Sequence, residues 1–213
     1  MVMYKYLLCL LFLSACIKME AQTTTRTLTG EYYLTNVMET ACGLKLNADS
    51  SFQFFFSQGA LDRYGRGRWS VKNNMLILNN RRRMPQDFRL LQSAHHENDS
   101  VTICIKDSNS FAVRYVYCII SGDGQTQQAM TNEDGIAVFK HQPVDSITLL
   151  FEFCPEKKSV FSITNKHNNH FEFAFEEWLM EIFFDNFELA IGEDGFSGSN
   201  PVLEGKEFHY RKQ

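Results

Sequence analysis

The run Thr131-Asn132-Glu133-Asp134-Gly135-Ile136-Ala137-Val138-Phe139 constrains the fold most strongly. Its Asp-Gly pair supplies the positive φ of a tight turn, and the β-branched and aromatic residues after it favour a strand. Val113–Ser121 precedes it and ends in a second turn, Gly122-Asp123-Gly124; Ser146–Phe153 follows. Short strands with turn signals at this spacing predict a sandwich.

The same grammar extends in both directions. Leu28–Leu34 opens the folded part, and Asn47-Ala48-Asp49-Ser50 turns the chain into the alternating strand Ser51–Phe56. Gly59–Trp69 reads as a glycine-punctuated loop entering a strand at Arg68–Lys72. Asn73-Asn74 then turns into Met75–Leu78, and Phe88–Leu91 makes a fifth strand. Past the middle, Phe171-x-Phe173-x-Phe175 alternates and Phe187–Ile191 is strand-like. Trp178–Phe184 fits a short amphipathic helix or another strand, and Val202–Tyr210 ends the chain. Nineteen phenylalanines against four prolines favour packed strands over disorder. Polar breaks at His95–Asp99 and Asn165–His170 mark boundaries. Five strands are too few to close an eight-stranded barrel. The expectation is therefore all-β, with residues 28–97 completed by 168–213 as a split barrel and a sandwich module, 98–167, inserted between. Two consecutive domains remain the alternative.

Leu28-x-Gly30-x-Tyr32, Leu44-x-Leu46-x-x-Asp49-x-x-Phe52, Gly67-x-Trp69-x-Val71 and Leu76-x-Leu78 together resemble the lipocalin-like barrels of bacterial envelope proteins. That resemblance implies a barrel able to carry a small apolar ligand. Val101-x-Ile103-x-Ile105-x-Asp107, Thr131-x-x-Asp134-Gly135-x-Ala137-x-Phe139 and Ile147-x-Leu149 resemble carboxypeptidase regulatory-like and transthyretin-like sandwiches. This second resemblance implies a non-catalytic Ig/transthyretin-like module.

Residues 1–21 read as a targeting leader, with Lys5 ahead of the apolar run Leu7–Leu13. That run is too short to span a bilayer. Leu13-Ser14-Ala15-Cys16 resembles a lipobox, which implies lipidation of Cys16 and an outer-membrane anchor; cleavage after Ala21 would instead leave a periplasmic or secreted protein. Four cysteines remain in an exported chain, which predicts at most one disulfide, among Cys104, Cys118 and Cys154. A net charge of −4 without a basic face argues against nucleic acid as a partner.

Asp62, Arg63, Tyr64 and Arg66, with Trp69, sit in the glycine-rich loop and are the candidate ligand mouth. His95-His96-Glu97 and His167-x-x-His170 lack a third metal ligand and read as loop histidines. Glu176, Glu177 and Glu181 could supply acid/base carboxylates only if they converge in a cleft. Phe52, Phe54 and Phe56, with Phe171, Phe173 and Phe175, read as filled core rather than a ligand cavity. The chain carries neither a nucleophile elbow nor a phosphate or dinucleotide loop, so no cofactor is expected. The functional expectation is a non-enzymatic envelope protein binding an unknown protein or small apolar ligand through loops.

Overall fold

A computed structural model describes residues 28–80, 82–205 and 207–213. The leader, Cys16 and Arg81 lie outside them. Sixteen strands occur among the described residues. The first five are β1 (Gly30–Leu34), β2 (Thr40–Leu46), β3 (Ser51–Gln58), β4 (Leu61–Lys72) and β5 (Met75–Asn79). β6 (Phe88–Ala94) and β7 (Ser100–Ile105) lead to a 3₁₀ turn at Ala112–Tyr115. There follow β8 (Val116–Gly122), β9 (Gln125–Met130), β10 (Ile136–Lys140), β11 (Ser146–Phe151), β12 (Lys158–Ser162) and β13 (His170–Phe175). The last three are β14 (Phe187–Ile191), β15 (Gly195–Gly198) and β16 (Phe208–Lys212).

Eight of these close a barrel in the order β1-β16-β15-β14-β5-β4-β3-β2. Two-residue turns set the meander where the side chains allow positive φ: Asn73 and Asn74 lie at 52° and 60° between β4 and β5. Alternation along β2 and β3 sends Cys42, Leu44, Leu46, Phe52, Phe54 and Phe56 inward. An eight-stranded barrel is just wide enough for side chains to fill. Here they do, with Phe184 among them: its ring centroid is 5.3 Å from those of Phe52, Phe54 and Phe187. Phe184 arrives from neither a helix nor a strand. The segment 177–184 is a turn with a single bridge, Glu181 to Tyr64.

The other eight strands form two four-stranded sheets, β10-β7-β13-β6 and β12-β11-β8-β9. Their shared core includes Val101, Ile103, Ile105, Cys118, Ile120, Ile147, Leu149, Phe171 and Phe173. The Asp134-Gly135 turn carries the chain from β9 in one sheet to β10 in the other. Asn132 Oδ1 accepts from the Asp134 and Ile136 amides at 3.0 and 2.9 Å, and Gly135 takes φ 75°. A Cβ on Gly135 would come within 2.8 Å of the Ile105 carbonyl oxygen, so the turn needs glycine for space as well as for φ.

The described residues divide into two compact units, one made of 28–83 with 181–213, the other of 84–180. This corrects the expected boundaries at 97 and 168. Phe88–Ala94 and His170–Phe175, both assigned to the barrel by the polar breaks, pair with each other antiparallel, and β13 runs parallel to β7. Phe171 and Phe173 register with Ile103 and Ile105 and join the sandwich core, so the two Phe-x-Phe-x-Phe runs fill different interiors.

Among the described residues no disulfide forms: Cys42, Cys104, Cys118 and Cys154 are all buried, unbridged thiols. Cys118 and Cys154 belong to the sandwich core. Cys104 follows the inward Ile103 on β7 and, by strand alternation, faces away from that core. Cys118 Sγ instead approaches the Val116 carbonyl at 3.7 Å, and Cys154 Sγ the Leu179 carbonyl at 3.5 Å. Burial pushes the Cys118 thiol up to about 12.

Candidate functional site

The glycine-punctuated segment is not a loop. Leu61–Lys72 is one twelve-residue strand, and alternation splits the expected ligand mouth between two faces. Arg63 and Trp69 turn inward and are buried, with Trp69 Nε1 donating to the Asn47 carbonyl at 3.0 Å. Asp62, Tyr64 and Arg66 face outward. Gly65 and Gly67 hold inward positions where close approach forbids a side chain. A Cβ on Gly65 would meet the Phe184 ring at 2.6 Å, and one on Gly67 the Asn79 carbonyl oxygen at 2.1 Å. The missing side chains are what let β4 continue as a strand past the core.

On the outer face, register assembles two rows across four strands. Tyr33 lies opposite Gly43, Gly43 opposite Phe55, and Phe55 opposite Tyr64. One pleat along, Glu31 faces Lys45, Lys45 faces Gln53, and Gln53 faces Arg66. The first row is aromatic and the second is polar. Both line a groove of about 930 Å³, with Ser51 and Arg68 at one end. Of the expected mouth residues, Tyr64 and Arg66 belong to it; Asp62, Arg63 and Trp69 do not.

Gly43 makes the aromatic row continuous. A Cβ there would fall 2.4 Å from Phe55 Cε1, so the Phe55 ring lies across the glycine and meets Tyr33 edge-on at 6.0 Å. Aromatic cover over a strand glycine also pins register, which is the purely structural role of such a pair. Phe55 nevertheless keeps 40% of its surface exposed, more than a buried register pin needs.

The polar row is partly pre-set. Glu31 accepts from Lys45 Nζ and from Tyr33 Oη, both at 2.9 Å. The Lys45 and Tyr33 hydrogen bonds hold the Glu31 carboxyl below the usual carboxylate range, and Glu31 raises both of theirs. Arg68 donates to the Asp49 carbonyl at 3.1 Å. Gln53 and Arg66 have no side-chain partner among the described residues. Three cations, Lys45, Arg66 and Arg68, and two carboxylates, Glu31 and the buried Glu181, therefore line the groove, and one guanidinium is left to offer.

The free edge of β4 is occupied. β5 pairs only with Arg68–Lys72; beside Tyr64, the Ile182 amide donates to the Tyr64 carbonyl at 2.6 Å. Glu181, next to it, is buried and accepts from Asn80 Nδ2 at 3.5 Å. No family model, curated protein or solved structure matches the chain.

The carboxylate candidates belong to different units, while the two histidine clusters come together. Glu176 and Glu177 lie in one unit and Glu181 in the other, with Glu176 paired to Arg89 at 3.0 Å. His95 Nδ1 contacts the His167 carbonyl at 2.8 Å, while the His96 ring stacks on His170 at 4.3 Å. Among the described residues, His, Cys, Asp and Glu form no cluster of three that could hold a metal ion.

Nothing in the local sequence distinguishes Tyr33, Phe55 or Gln53 from ordinary outward strand residues. Only the pairing register brings them beside Tyr64 and Arg66, so sequence reasoning found one strand of a four-strand site.

Proposed function

We propose that this is an exported, non-catalytic envelope protein that binds a ligand or partner on the outer face of β1–β4. The observation that carries this reading is the paired aromatic and polar rows, one with its carboxylate pre-set and its arginine uncommitted. Binding through a rigid sheet face replaces the expected binding through loops. Sites on strands hold their groups with less ordering cost than sites on loops. The leader at residues 1–21 supports export, with Cys16 lipidated at the outer membrane or, if cleavage follows Ala21, a periplasmic or secreted form. The interior-carrier alternative is disfavoured by a barrel lumen filled with Phe52, Phe54, Trp69, Phe184, Phe196 and Tyr210.

Native mass spectrometry of protein gently extracted from its own envelope tests both parts. The N-terminal mass distinguishes an acylated Cys16 from a chain starting at Gln22. An adduct on the parent that is lost in the Phe55→Ala/Tyr64→Ala variant supports the groove. An adduct that survives this change places binding elsewhere and sinks the reading.

A further inference from the structure

We infer that the groove takes an acidic oligosaccharide, a short chain of pyranose rings carrying carboxylates. This rests on the groove being a binding site and adds the chemistry of what it holds. The two rows are parallel and unlike. Three interstrand steps at about 4.8 Å give each row a length of about 14 Å, and two residues along a strand set the rows about 7 Å apart. A sugar chain has the matching two-sided character: C–H faces that pack on aromatic rings, and hydroxyls that project sideways to hydrogen-bonding groups. Tyr33, Phe55 and Tyr64 supply the first surface; Lys45, Gln53 and Arg66 supply the second.

Charge selects within that class. Of the two carboxylates in the lining, Glu31 is already met by Lys45 and Tyr33 and the buried Glu181 by Asn80, whereas Arg66 is met by nothing among the described residues. A planar guanidinium beside a free amide suits a carboxylate, which it can take in two parallel hydrogen bonds.

An acidic peptide is the competing occupant, and the topology argues against it. Extended peptides gain most of their affinity by pairing with a bare sheet edge. β1, β2 and β3 are paired on both sides, and the edge of β4 at Tyr64 is taken by Ile182.

The test is a titration of the isotope-labelled full chain followed by backbone amide shifts. The probes are hexagalacturonate, its fully methyl-esterified form, and a hexaglutamate peptide. Hexagalacturonate should move amides of β1–β4, and esterification should weaken binding about tenfold or more, the loss of one charge-assisted pair. Arg66→Gln, at an exposed site that leaves the core intact, should bring acid and ester to equal affinity. Equal binding of acid and ester by the parent chain overturns the inference, as does preference for the peptide or no movement of β1–β4 amides with hexagalacturonate. None of these results touches the groove itself. That reading fails only if the envelope adduct survives the Phe55/Tyr64 double change.

Discussion

Removing the Phe184 ring asks whether the barrel is a packed core or a container. Phe184 is 3% exposed and touches Phe52, Phe54 and Phe187, with its Cε2 atom 2.6 Å from where a Gly65 Cβ would stand. Phe184→Ala loses about 2 kcal/mol of transfer free energy for the buried ring. It also leaves a cavity of roughly 100 Å³, which at about 24 cal/mol per Å³ adds about 2.4 kcal/mol. The sum is about 4 kcal/mol, inside the range found for phenylalanine truncations in closed cores. The chain's two tryptophans fall one in each unit, so a Trp178→Phe background leaves Trp69 as the barrel's reporter in urea unfolding. In that background Phe184→Ala should lower stability by about 4 kcal/mol, and the new cavity should bind benzene, as dry apolar cavities of similar size do. A loss below about 1 kcal/mol would refute the reasoning, because a ring lining an existing chamber leaves no new void.

Lys157→Met should destabilise the sandwich by about 3–5 kcal/mol, since it removes one partner of a buried ion pair with Asp87. Lys157 Nζ lies 3.6 Å from that carboxylate and donates to the Trp178 and Leu179 carbonyls at 3.1 and 2.8 Å. Urea unfolding read by Trp178 fluorescence checks it. Gly67→Ala should prevent a stable barrel, because the Cβ would collide with backbone, whereas Gly124→Ala, in open space at φ 75°, should cost only about 1 kcal/mol. Thermal melts of the two variants compare them. The Lys45 and Tyr33 hydrogen bonds hold the Glu31 carboxyl below its ordinary value in the folded protein, so its contribution is present above that ordinary value and fades as pH falls through the folded one. Glu31→Gln should flatten the acid limb of a stability-versus-pH curve, and an unchanged limb would remove the Lys45 and Tyr33 contacts from the account. Burial raises the Cys42 thiol to about 11, so maleimide should label none of the four described cysteines in the native protein and all four in urea.

The strands themselves were readable because alternation and turn residues are local. Ser51–Phe56, Met75–Leu78 and the Asp134-Gly135 turn appear where the residues demand them. What local pattern cannot carry is partnership. Phe-x-Phe-x-Phe reads the same at 52–56 and 171–175, yet one run fills the barrel and the other registers with β7 in the sandwich. Taken locally, the glycines at 65 and 67 look like loop punctuation. Their cause is the approach of Phe184 and of the Asn79 backbone, both distant in sequence. The groove was half legible for the same reason: Tyr64 and Arg66 stand on one strand, and their neighbours are chosen by register.

Closure of the barrel depends on the pairing of β1 with β16, the first strand with the last. A chain emerging from the ribosome or crossing a membrane therefore completes the sandwich, whose final strand ends at Phe175, before β14 exists. Until then β1 and β5 are bare edges of a five-stranded sheet whose inner face displays Phe52, Phe54 and Phe56. Open edges beside exposed phenylalanine are the combination that drives sheets to pair with strangers. The hazard ends only when Phe208–Lys212 arrives, which gives the last few residues a say in solubility out of proportion to their number.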